Sequence, residues 1–151
     1  METNLFIIIP LMLVCGLAAG IPIGLLLTRK TPEEPDVLVK IGASKVSGRG
    51  AFALERITRG TIIERCPALE VNDKDIGGEL LNYVFYGQEE SLRLVVMGNG
   101  MLFNHANEPN VAYYREDTRL GPELVLYALR DIEKDEELFY SYGEDWWKTR
   151  N

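Results

Sequence analysis

At 151 residues the chain has room for one globular domain and short attachments. Its net charge of -7 argues against nucleic acid as a direct partner and favours basic partners, because fields of opposite sign speed encounter. Two cysteines, Cys15 and Cys66, and a single histidine, His105, supply neither a disulfide framework nor a His/Cys metal centre; an oxygen-ligand site stays open, and no residue is assigned to a metal.

The first element in chain order is an uncharged run from Leu5 to Leu27. At 1.5 Å per residue a helix over it is about 34 Å long, enough to cross a hydrocarbon core of ~30 Å. Arg29 and Lys30 follow at once, which predicts a single-pass membrane protein with its C-terminal domain in the cytoplasm. Gly16 and Gly20 form a GxxxG that offers a homodimer contact face. A cleaved signal peptide is the rival reading, but it calls for a basic start and a shorter apolar run. Residues 28–36 then read as a linker, with Pro32, Pro35 and three acids. Setting aside Glu2, Arg29 and Lys30 leaves 14 basic and 22 acidic residues in 31–151, a net of -8.

Residues 37–151 read as one mostly β domain. Short apolar, β-branched stretches at Val37–Ile41, Ala51–Leu54, Thr61–Arg65 and Ala68–Val71 are set between turn signals such as Thr58-Arg59-Gly60. Ser91–Met97 alternates, with Leu92, Leu94 and Val96 on one face. Glu123–Arg130 is apolar on both faces, the pattern of a central strand. Glu79–Tyr86 alone has helical spacing, through Leu80, Leu81, Val84 and Phe85. A final turn or helix follows Gly143.

Three motifs stand out. Gly48-Arg49-Gly50-Ala51-Phe52-Ala53 matches a dinucleotide fingerprint in form, but Gly60 arrives before any long helix could follow. What remains is a glycine pair that admits close backbone approach, or an ordinary hairpin turn. Asn104-His105 and Pro109-Asn110 fall within ten residues, as a ligand-binding loop or as a satisfied core histidine beside a turn. No GxSxG elbow accompanies His105, so a hydrolytic triad is not supported. Glu137–Gly143, ELFYSYG, with Trp146 and Trp147 beyond it, gathers aromatics that could line a tube for an alkyl-ammonium group or cap the core.

In this order, GRG, then FNHANEPN, then ELFYSYG, the chain resembles the SET-domain family of protein lysine methyltransferases over about residues 37–147. It is most similar to the small viral and bacterial single-domain members. The resemblance implies a fold of several small β-sheets with a C-terminal pseudoknot. It implies S-adenosylmethionine as methyl donor, held by Gly48, Arg49, Gly50, Asn104, His105 and Trp147. Tyr142 takes the position of the catalytic tyrosine. Tyr83, Tyr140 and Trp146 line the substrate lysine channel, and a tyrosine at 140 resembles members that favour monomethylation. The partner implied is a lysine-containing basic protein or peptide, histone-like or other. Three departures are visible: Arg49 inside GxG, Ser141 where an Asp is usual, and no cysteine-rich zinc segment after Tyr142. A membrane-tethered binding module that keeps the fold without turnover is the alternative, and a non-protein amine is a further candidate substrate.

Overall fold

The computed structural model describes residues 37–148. The span predicted for 5–27 and the linker at 28–36 lie outside the described residues. Among the described residues no helix is long and apolar enough to cross a membrane.

Two sheets carry the domain. The first has the order β1-β2-β9-β6, built from Val39–Ala43 (β1), Arg49–Ala53 (β2), Glu137–Tyr140 (β9) and Asn104–His105 (β6). Its β1–β2 and β2–β9 pairs are antiparallel, whereas β6 runs parallel to β9, with Asn104 opposite Phe139 and His105 opposite Tyr140. The second has the order β4-β5-β3-β8-β7, from Phe85–Tyr86 (β4), Leu92–Val96 (β5), Ile62–Asn72 (β3), Gly121–Ala128 (β8) and Val111–Thr118 (β7). Glu144–Lys148 forms a short C-terminal helix, α1.

Local chemistry explains where the sequence reading held and where it failed. β8 is central, flanked by β3 and β7, and Leu124, Val125 and Leu126 are all buried, as two apolar faces require. The stretches expected as two brief strands at 61–65 and 68–71 are one strand, β3. Its first half pairs with β8 through Pro67, and its second half pairs with β5 from Ala68 onward. Pro67 sits where the partner changes, so its missing N–H breaks no continuous ladder, and its carbonyl accepts the Met97 N–H at 2.8 Å.

The helix expected over Glu79–Tyr86 is instead a 3-10 turn at Gly78–Asn82 that runs into β4. An eight-residue helix cannot offset its nucleation cost alone. Here Gly78 starts the segment at φ 60°, and Phe85 is drawn into a bridge with Leu94 and into the core. β7 has no counterpart in the sequence reading, because its second half, Arg115-Glu116-Asp117, is charged and looks like loop.

The core draws on both sheets: Val39, Ala51, Ala53 and Leu138 from the first, Cys66, Leu94, Leu124 and Leu126 from the second. Burying each large aliphatic side chain contributes about 1.5–3 kcal/mol. Among the described residues the buried core also holds one amide side chain. Asn110 is 2% exposed, and its amide is fully engaged on β9 and the residue before it. Its Nδ2 donates to the Glu137 carbonyl at 2.8 Å and to Glu136 Oε1 at 3.1 Å, and its Oδ1 accepts the Phe139 N–H at 2.8 Å. Its own carbonyl accepts the Leu129 N–H at 2.8 Å. Asn110 thus stands in for a strand neighbour that β9 would otherwise lack. Asn110→Ala strands a buried backbone donor and a buried acceptor, so it should lower stability by roughly 2–4 kcal/mol in urea titration. A loss under about 1 kcal/mol would contradict this bracing role.

Candidate active site

The site forms where the β1–β2 turn, the segment 101–105 and the end of β9 meet. In the β1–β2 turn, Ser44 N–H donates to the Gly48 carbonyl at 3.0 Å, and Ser44 Oγ accepts the Val46 N–H at 2.9 Å. Gly48 has φ 50°, a left-handed value that favours glycine. Gly50 is glycine for another reason: a Cβ there would run into the Glu137 carboxylate and the Asn104 amide. The pair therefore serves two different needs, one of backbone conformation and one of side-chain approach.

Asn104 fastens this turn to β9. Its Nδ2 faces the carbonyls of Ser47 and Arg49 at 3.2 Å each and Glu137 Oε1 at 3.0 Å. His105 does the same for the residues after β9. Its Nδ1 accepts the Tyr142 N–H at 3.1 Å, which places the ring proton on Nε2, facing Asn107 Oδ1 at 3.1 Å. Both imidazole nitrogens are engaged, so the ring holds structure and is not set up as a general base. Trp147 meets it edge-on, with ring centroids 5.2 Å apart.

The two tyrosines at the end of β9 are locked by hydroxyl bonds. Tyr140 Oη donates to the Gly100 carbonyl at 3.2 Å, and Tyr142 Oη donates to the Phe103 carbonyl at 3.0 Å. β9 ends at Tyr140, so Tyr142 owes its place to the His105 bond and not to strand alternation. The rings still lie together, with centroids 5.5 Å apart. Burial pushes the Tyr140 phenol well above its ordinary value, with Tyr142, Tyr113 and Cys66 adding to it. Burial also raises Tyr142, with a smaller contribution from Tyr83. Both stay neutral hydroxyl donors across the physiological range.

These residues enclose a cavity of about 800 Å³. Gly48, Arg49, Asn104, His105 and Trp147 line it, together with Tyr83, Tyr140, Tyr142 and Trp146. Of the residues that the resemblance assigns to the donor, the lysine channel or catalysis, Gly50 alone is absent from its lining; it lies behind, against Glu137 and Asn104. A second, narrow cavity of about 30 Å³ shares Tyr83, Tyr140, Tyr142 and Trp146 with the first and adds Phe85 and Tyr113. The two tyrosines of β9 and its end therefore stand between a wide chamber and a slot.

Sequence reasoning passed over Tyr113, Phe85, Phe103 and Val46. Tyr113 packs edge-on against both Tyr140 and Phe85, at 5.2 and 5.1 Å between centroids. The alternation of Val111, Tyr113 and Arg115 in β7 was the available signal. Among the described residues no three His, Cys, Asp or Glu side chains are grouped to hold a metal. The chemistry of the wide chamber suits S-adenosylmethionine: a polar rim at Ser47, Arg49 and Asn104 for its charged end, and Phe103, Trp146 and Trp147 for a flat aromatic base.

Comparison with known proteins identifies the family. The profile described as SET domain matches residues 48–143. A Schizosaccharomyces pombe protein, a histone-lysine N-methyltransferase specific for histone H3 lysine 37, is 35% identical over 113 residues, covering 72% of this chain and 76% of its own length. A crystal structure from Plasmodium falciparum, described as a candidate histone methyltransferase, superposes with a TM-score of 0.66 at 32% identity. It covers 74% of this chain and 98% of its own. An autoinhibited Polycomb Repressive Complex 2 of Chaetomium thermophilum, bound to S-adenosylmethionine, shares the fold alone, with a TM-score of 0.61 at 24% identity over 74% of this chain and 16% of that one. The chain belongs to the SET-domain family of protein lysine methyltransferases.

Proposed function

We propose that this protein uses S-adenosylmethionine to methylate a lysine ε-amine in a basic protein, and that it favours a single methyl addition. Lysine methylation with this donor follows from the family and from the identity to the S. pombe enzyme. The observation that carries the assignment of roles is the placement of Tyr140 and Tyr142 between the wide chamber and the slot. Gly48, Arg49, Asn104, His105 and Trp147 would hold the donor in the chamber, and Tyr83, Tyr140 and Trp146 would line the path of the lysine.

When bound, the donor supplies an electrophilic methyl group on a positively charged sulfur. The chain must deliver a neutral amine to it, and a free lysine has a pKa of about 10.4. The slot is walled by Phe85, Tyr113, Tyr140 and Tyr142, so entering it strips water from the ammonium and favours its neutral form. Holding the amine in line can account for roughly 7–11 kcal/mol of the barrier. Tyr142 fixes the rim of the slot, itself fixed by His105 and the Phe103 carbonyl. Tyr140, anchored on Gly100, takes up the room that a methylated amine would need to turn.

The finer parts of the proposal rest on sequence. The run 5–27 followed by Arg29 and Lys30 supports a single-pass anchor with the domain at residues 37–151 on the cytoplasmic side, and the GxxxG offers a dimer contact. β9 lies between β2 and the parallel β6, an arrangement that supports a threaded C-terminal segment. The net of -8 in the domain and its linker suits a basic substrate.

Tyr142→Phe should cut single-turnover methylation by roughly 100-fold or more while calorimetry still shows donor binding. Full activity in that variant would sink the assignment. Tyr140→Phe should raise the share of di- and trimethyl-lysine, read by mass spectrometry; an unchanged product ratio removes Tyr140 as the limiter. Because both phenols ionise above the ordinary tyrosine value of 10, deprotonation of the amine governs the pH profile. kcat/KM, which reports the free lysine, should climb with pH to about 10 with no descending limb from Tyr142. A fall setting in near pH 8 would contradict this.

A further inference from the structure

The acidic net charge leads one to expect a substrate with basic residues on every side of the target lysine. The surface beside the slot has a different chemistry. A third cavity, of about 230 Å³, shares Asn82, Val84, Phe85, Tyr86 and Trp146 with the slot, so it continues from the wall of the lysine path. Leu81 and Arg93 complete its character: among the described residues the lining is mainly apolar and aromatic, and its one formal charge is positive. Among the described side chains that line it there is no carboxylate.

That positive charge is fixed in place. Arg93 Nη1 donates to the carbonyls of Glu90 at 2.6 Å and Leu92 at 2.7 Å, and its guanidinium lies 5.0 Å from the centroid of the Tyr86 ring. Its side chain is only 20% exposed, and its ion-pair partner Asp73 stands 4.0 Å off, outside the cavity lining. A held cation disfavours a second cation brought into a partly desolvated pocket. The cavity falls below the roughly 300–1,000 Å³ of small-molecule sites and has room for one side chain. In an extended peptide, side chains that share a face are two residues apart, about 7 Å, so the occupant is near the lysine in sequence.

We propose that this cavity is a specificity subsite for a residue within two positions of the target lysine, that it takes an aliphatic or aromatic side chain, and that Arg93 excludes Lys and Arg from it. The inference rests on the methyltransferase reading and deepens it. The protein then uses its overall charge to attract basic proteins and this one pocket to select among their lysines.

The test uses the full chain and a degenerate peptide library with one fixed lysine, varied at the two positions before it and the two after. Product is sequenced by mass spectrometry, and donor binding is followed by calorimetry in parallel. At one varied position, Leu, Met or Phe should exceed Lys or Arg by roughly 10-fold in kcat/KM. Arg93→Glu should erase or reverse that ratio at the same position. Leu81→Glu, a change at the exposed rim that leaves Arg93 and its bonds in place, should act in the same direction. Methylation without preference at any varied position, or a preference that both variants leave unchanged, overturns the subsite while the methyltransferase assignment stands. Donor binding with no peptide methylated overturns the lysine methyltransferase reading and the subsite with it.

Discussion

β9 is four residues long, yet it carries one of the two tyrosines on which the site depends and leads directly into the other. So short a strand cannot hold its place by ladder bonds alone. It has a partner in β2 over only two residue pairs and in β6 over two more. The Asn110 side chain supplies what is missing, with a donor and an acceptor in the positions a neighbouring strand would offer. A buried amide of this kind is costly unless every group on it is matched. Here the matching groups belong to the backbone of β9, so the cost of burial and the placement of the tyrosines are tied together.

Seen this way, the polar residues between 104 and 110 divide their work along the chain. Asn104 fastens the glycine turn, His105 fastens Tyr142 and Asn110 fastens β9. Each side chain reaches backbone atoms from a different segment. The density of polar groups that makes this stretch conspicuous in the sequence thus has a structural basis of its own, beside any contact with a ligand. Departures from regular geometry gather at the same place: the left-handed Gly48 and Gly143 at φ 82° just after Tyr142, with Gly50 packed against the Glu137 and Asn104 side chains.

What the sequence could show depended on whether the signal was local. β8 was legible because both its faces are apolar over six residues. The end of β9 was legible because its aromatics are contiguous. β3 reads as two stretches because Pro67 is a breaker by local rules, and only the change of partner from β8 to β5 makes it harmless. The 79–86 segment has true helical spacing, and tertiary pairing of Phe85 with Leu94 overrode it. Tyr113 was missed because its importance comes from Tyr140 and Phe85, which are distant in the chain. The sites of Asn104 and His105 were found by motif, but their bonds to Ser47, Arg49 and Tyr142 cross up to 57 residues and left no trace in spacing.

The aromatic tail has a practical consequence. The chain contains two tryptophans, and both are at the site. Trp147 touches the His105 ring, and Trp146 lies 4.9 Å from the Tyr142 ring. Indole emission from this protein therefore arises wholly from residues beside the chamber and the slot, with no background from a distant core tryptophan. The intrinsic fluorescence of the unlabelled protein is a local gauge of what enters the chamber and of how the short helix α1 settles over it.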